Sequence, residues 1–75
     1  MLVKIKSWDK MAEKYGVDEG GDIYRADKDF YFSKDMKYLC GTEVELDDYN
    51  GSSKSVLGKY DGFYIERWMV KKNGK

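Results

Sequence analysis

Val56-Leu57-Gly58-Lys59-Tyr60-Asp61-Gly62-Phe63-Tyr64-Ile65-Glu66-Arg67-Trp68-Met69-Val70 is the stretch that decides how this chain folds. Asp61-Gly62 is the residue pair favoured in a two-residue type I′ turn, because both central positions need positive φ. Apolar residues flank it on both sides, so Val56–Tyr60 and Phe63–Ile65 read as a β-hairpin. With a two-residue loop Tyr60 opposes Phe63 and Gly58 opposes Ile65. One face then carries Val56, Gly58, Tyr60, Phe63 and Ile65 as a core face, and Lys59 and Tyr64 share the other. The alternation breaks at Glu66-Arg67-Trp68, and Met69-Val70-Lys71 reads as a short last strand. Lys72 to Lys75 reads as a frayed tail.

Working outward, Glu43-Val44-Glu45-Leu46 alternates as a strand with Val44 and Leu46 inward. Leu2 to Lys6 does the same, with Val3 and Ile5 on one side and Lys4 and Lys6 on the other. Ser7 then stands as an N-cap for a helix whose Trp8, Met11, Ala12 and Tyr15 recur at helical spacing, and Gly16 stops it. Val17 to Asp22 is a loop marked by Gly20-Gly21. Ile23–Ala26 reads as a short strand and Phe30-Tyr31-Phe32 as another apolar piece, with a turn at Asp27-Lys28-Asp29 between them. Ser33 to Gly41 carries a second capped turn with Met36, Leu39 and Cys40 at helical spacing, and Asp47 to Ser55 is a polar, mobile loop. Trp8, Ile5, Val44, Phe63, Ile65 and Trp68 are the expected core.

With 75 residues the chain has room for one domain. It has no His and a single Cys, which excludes Ser-His-Asp and Cys-His catalysis, disulfides and the usual zinc sites. Cys40 follows Tyr38-Leu39 and reads as a packing residue in a reducing compartment. Charges interrupt the N-terminal apolar run, and no stretch approaches a membrane span, so a cytoplasmic protein is expected. Asp18, Glu19 and Asp22 bracket two glycines, but the alternate-position ligand spacing of a calcium loop is missing. No phosphate cradle follows Gly20-Gly21. No catalytic residue, cofactor or metal site is expected.

The fold class expected is mainly β with one short α-helix near the N-terminus. So many short strands bury a common core by curling into a small barrel of about five strands. The segment Gly62-Phe63-Tyr64-Ile65-Glu66-Arg67-Trp68-Met69-Val70 resembles the closing segment of SH3-like barrels: a Gly-started strand, a single helical turn, an aromatic and a Val-containing last strand. Phe32-Ser33-Lys34-Asp35-Met36, followed by Gly41 and Val44, is loosely similar to the stretch leading into the second barrel strand. The resemblance implies a barrel over about residues 23–71, preceded by the strand and helix of residues 2–15 in a single domain 1–75. The chain has no Pro, and the tyrosine motif of peptide-binding SH3 domains is not recognisable around Ile23-Tyr24-Arg25, so recognition of Pro-rich peptides is not implied. With its Lys6-Ser7-Trp8 opening and Met36-Lys37-Tyr38-Leu39-Cys40-Gly41 stretch, the whole chain resembles small proteins carried by bacteriophages and prophages of Gram-positive bacteria. That implies work in the cytoplasm of a bacterial host.

Charge distribution is the most informative functional signal. The chain is neutral, yet Asp18 to Asp48 holds ten acids against four bases, a net −6, leaving +6 elsewhere. Segregation on this scale steers association with a partner of opposite charge. The expected partner-binding face comprises Asp18, Glu19, Asp22, Asp27, Asp29, Glu43, Glu45, Asp47 and Asp48 with Tyr31 and Tyr49 as aromatic anchors. It suits a host protein with a basic surface, as in an inhibitor that fills the nucleic-acid groove of a host defence nuclease. Two other readings stand beside it. One is a small-barrel nucleic-acid binder using a Lys4, Lys6, Lys71, Lys72 edge; the other is a virion structural or assembly component.

Overall fold

The computed structural model describes residues 1–24 and 30–71. It is built from four short strands, β1 (Leu2–Lys4), β2 (Glu43–Glu45), β3 (Val56–Tyr60) and β4 (Phe63–Glu66), with one α-helix, α1 (Trp8–Tyr15). Two 3-10 helices, Lys34–Leu39 and Arg67–Met69, complete it. The strands form two antiparallel sheets of two strands each, β1 with β2 and β3 with β4.

The hairpin forms in the register its turn dictates: Tyr60 opposes Phe63, Lys59 opposes Tyr64 and Gly58 opposes Ile65. Asp61 and Gly62 both take positive φ, 51° and 84°, as a type I′ turn requires. The Asp61 carboxyl also accepts a hydrogen bond from the Tyr38 hydroxyl at 2.8 Å, fastening the hairpin tip to the first 3-10 helix. The expected alternation fails at its far end. A register shift between Val56 and Gly58 inserts one extra residue, so Val56 opposes Glu66.

The helix begins and ends where its caps place it. The Ser7 hydroxyl accepts from the Lys10 amide, Gly16 closes the last turn at φ 84°, and Asp9 and Lys14 complement the helix dipole. Eight residues are too few to be stable alone. The docked face supplies the rest: Met11 is buried, and Tyr15 meets Trp68 edge-on with ring centroids 5.1 Å apart. Ser33 likewise caps its own turn through the Asp35 amide. That turn winds as a 3-10 helix, whose three-residue period stacks Met36 and Leu39 into the core and leaves Cys40 half-buried.

The expected closed barrel of about five strands is not formed among the described residues: four strands are present, in separate sheets. The last strand expected at Met69–Lys71 shrinks to one bridge, Val70 to Ile5, flanked by Lys6 N–H to Met69 O and Lys71 N–H to Lys4 O. Met69 is withheld because it belongs to a capping box, in which the Glu66 carboxyl accepts from the Met69 amide and the Met69 sulfur accepts from the Glu66 amide. The Ile23 and Phe32 pieces also meet only through an isolated bridge, with Val17 bridged to Ile23. The turn expected at residues 27–29 and the tail at 72–75 lie outside the described residues. A further bridge, Asp47 to Lys59, carries the path of β2 onto β3.

The core is a single cluster centred on Ile5, Met11, Ile23, Phe32, Met36, Leu39, Val44, Leu46, Ile65, Trp68 and Met69. Trp8 and Phe63, expected inside, pack on its margin. Trp8 lies against Phe32 with the Lys37 ammonium above its ring at 4.9 Å. Two positions hold the assembly together. Gly58 lets β3 cross the Leu46–Asp47 backbone, where a Cβ would come within 2.6 Å of the Asp47 carbonyl oxygen. Glu66 is fully buried and accepts from the Ser55 hydroxyl at 2.7 Å and the Trp68 indole N–H at 2.8 Å.

Two stability tests follow from these contacts, both read by urea unfolding. Glu66→Ala leaves a buried indole N–H, a hydroxyl and an amide without their acceptor and is expected to cost about 3–5 kcal/mol. Gly58→Ala must push Asp47 and Leu46 off β3 and is expected to cost about 1–3 kcal/mol. Wild-type midpoints in either variant would contradict the assignment.

Candidate functional site

In antiparallel pairs, directly opposed residues project from the same face. Asp47 opposes Lys59, and Lys59 opposes Tyr64, so these three side chains form a row across the outer face of the linked strands. Tyr64 is exposed and stacks on Phe30 at 4.6 Å between centroids, while Tyr49 meets it edge-on at 5.5 Å. Tyr24 and Tyr31, both exposed, form a second pair at 4.7 Å, beyond the Ile23–Phe32 bridge.

The strand path places Glu43, Glu45 and Asp47 at alternating positions, all exposed, while Val44 and Leu46 between them are buried. These three expected residues therefore share one side, with Tyr49 at the end nearest Tyr64. Asp48 is exposed beside them. Glu45 is not free on that face, because it pairs with the Met1 amine at 2.6 Å.

The acids of the glycine loop have a different job. Asp18 accepts from the amides of Gly20 at 2.9 Å and Asp22 at 3.0 Å, and Asp22 accepts from the Lys34 amide at 2.8 Å. Their carboxyl groups shape the loop and fasten it to the start of the first 3-10 helix. Glu19 is exposed. Asp27 and Asp29 lie outside the described residues. No cluster of metal-ligating side chains occurs among the described residues.

The polar segment Asp47 to Ser55, expected as a mobile loop, is tied down by its own side chains. The Tyr49 hydroxyl accepts from the Ser53 amide, and Ser55 binds the buried Glu66. The Tyr49 ring folds back over Gly51, where any Cβ would overlap it. Phe30, Lys59 and Tyr64 were not expected as site residues. The outward signal in the hairpin register was available for Lys59 and Tyr64; the Phe30 stack, formed by distant segments, had no such signal.

The lysines of the alternative reading also converge. Lys4, Lys6 and Lys71 line one groove with Lys14 and Arg67, and Lys72 lies outside the described residues. Burial pushes the Cys40 thiol upward, against a smaller lowering effect of Lys37, as suits a packing cysteine. No described helix is long and apolar enough to cross a membrane. No family model matches the chain, nor does any curated protein or solved structure.

The Tyr49–Tyr64–Phe30 cluster depends on Gly51. Gly51→Ala is expected to displace Tyr49 and shift the ring proton resonances of Tyr49 and Tyr64 while leaving those of Tyr24 and Tyr31 in place. Unchanged Tyr64 resonances in the variant would show that the cluster does not rest on this turn.

Proposed function

We propose that this chain is a non-enzymatic interaction protein that binds a host protein through its acidic, tyrosine-bearing outer face. The observation carrying the reading is the joined surface of Asp47, Lys59, Tyr64, Phe30 and Tyr49, with exposed Asp48 alongside. Tyr64 is exposed and its half-buried neighbours Phe30 and Tyr49 hold it in place, so it loses little conformational entropy on binding and serves as an anchor, while an acidic rim selects a basic partner and speeds encounter. The resemblance to phage and prophage proteins is what suggests a bacterial host for that encounter. Its concrete form is an inhibitor whose carboxylates stand in for phosphates in the basic groove of a nucleic-acid-handling or defence protein.

The scaffold for this face is, on our reading, an open form of the SH3-like barrel. The order of pairing supports it: Val70 beside Ile5, β1 beside β2, the path of β2 bridged to β3, and β3 beside β4. A single 3-10 turn stands before the last of these segments, as in the closing segment of that barrel.

The test is affinity capture from a Gram-positive bacterial lysate with immobilised wild-type protein and two variants. The wild type is expected to retain a basic partner that Asp47→Lys/Asp48→Lys and Tyr64→Ala each lose by at least about tenfold, the scale of one interface hot spot. Equal recovery of the same proteins by all three would overturn the surface assignment.

A further inference from the structure

The opposite charge is gathered as deliberately as the acids. Lys4 and Lys6 on and after β1, Lys14 in the last turn of α1, Arg67 in the second 3-10 helix and Lys71 beyond it line one open groove of about 970 Å³, with Glu43 as the one acidic side chain on its wall. These five cations come from separate parts of the chain and are brought together by the Ile5–Val70 bridge. Among the described residues none of them has a carboxylate within ion-pairing distance, the one ion pair there being Met1 with Glu45. Lys14 lies over the Tyr15 ring at 5.5 Å and Lys4 stands opposite Glu43 across β1 and β2, so one carboxylate faces five cations, an excess of like charge that a polyanion would relieve.

We propose that this groove binds the phosphodiester backbone of duplex nucleic acid, independently of the aromatic acidic face. Several observations select this occupant. The groove is lined by Met1, Leu2, Val3, Leu57 and Val70 besides its charges, and carries no aromatic side chain on which an unpaired base could stack. It therefore reads charge and shape and leaves the bases unread. A duplex offers one negative charge per ~1.7 Å of axis, denser than an extended acidic peptide with at most one per residue rise of ~3.3 Å. Such a polymer suits five cations in one short groove with the lone Glu43 as offset better than an acidic peptide does.

The test is fluorescence anisotropy of the full chain with a labelled duplex DNA of arbitrary sequence. Taking the groove to neutralise about four phosphates, affinity is expected to fall about 100-fold between ~50 mM and ~200 mM salt. Lys4→Gln/Lys71→Gln removes two contacts and should shrink that fall to about tenfold, while Lys4→Arg/Lys71→Arg keeps the wild-type slope. Lys10→Gln/Lys54→Gln, outside the groove, should bind as the wild type does. The proposal is overturned by absence of binding at low salt, by equal losses in the groove and control variants, or by tighter binding to polyglutamate or phosphatidylserine vesicles than to DNA. Self-association of the chain that the groove variant abolishes would also overturn it, since a second copy would then be the occupant. Loss of the captured host protein would leave these readings untouched, because Asp47, Asp48 and Tyr64 do not line the groove.

Discussion

A buried carboxyl group organises this small fold. Glu66 has no exposed surface and sits where the hairpin ends, the second 3-10 helix begins and the polar loop returns to the core. A polar group in that position is costly unless its hydrogen bonds are complete. Here the Ser55 hydroxyl, the Trp68 indole and the Met69 amide converge on it, and the Arg67 amide binds the Ser55 carbonyl alongside. Each donor comes with its own segment attached. Trp68 is thereby aimed at Tyr15 and α1, Met69 enters the core, and the loop carrying Tyr49 is drawn toward the hairpin. A chain this small has little hydrophobic area to waste, so one directional cluster sets geometry that apolar burial alone would leave loose.

The same economy governs charge. The chain is neutral, yet among the described residues only Met1 and Glu45 stand within ion-pairing distance, although Asp47 opposes Lys59 and Glu43 opposes Lys4. Acids of the glycine loop cap their own backbone, acids of the β2 path face outward beside a tyrosine cluster, and the unpaired cations collect at the junction of the chain's two ends. Surface ion pairs contribute little to stability, so their scarcity among the described residues costs the fold little. What it leaves is one region rich in acids and one rich in bases, which we propose meet different partners.

The local elements were largely legible in the sequence. Ser7, Gly16, Ser33 and Asp61-Gly62 mark their caps and turns because each acts through the backbone within a few residues. The register of Tyr60 against Phe63 followed from turn length alone. What escaped was tertiary. The diversion of Met69 follows from its capping box with Glu66, and the bulge at Leu57 lies where Glu66 pairs with Val56; in sequence Glu66 reads only as a polar break. Phe32, whose flanking strands are barely paired, proved more central than Trp8. For the site, the acidic residues were visible as a block, but composition could not say that Asp18 and Asp22 would turn to their own amides. Nor could it place Phe30 against Tyr64 across a sequence gap.

The bridge between Ile5 and Val70 has a temporal meaning. Proteins are made from the N-terminus, and contacts between distant segments form only after the later one exists. Ile5 and the apolar side of α1 therefore emerge from the ribosome early, can meet Phe32 and the segment 41–44 next, and wait longest for Trp68, Met69 and Val70. The contact that closes this fold is thus the last that synthesis allows to form.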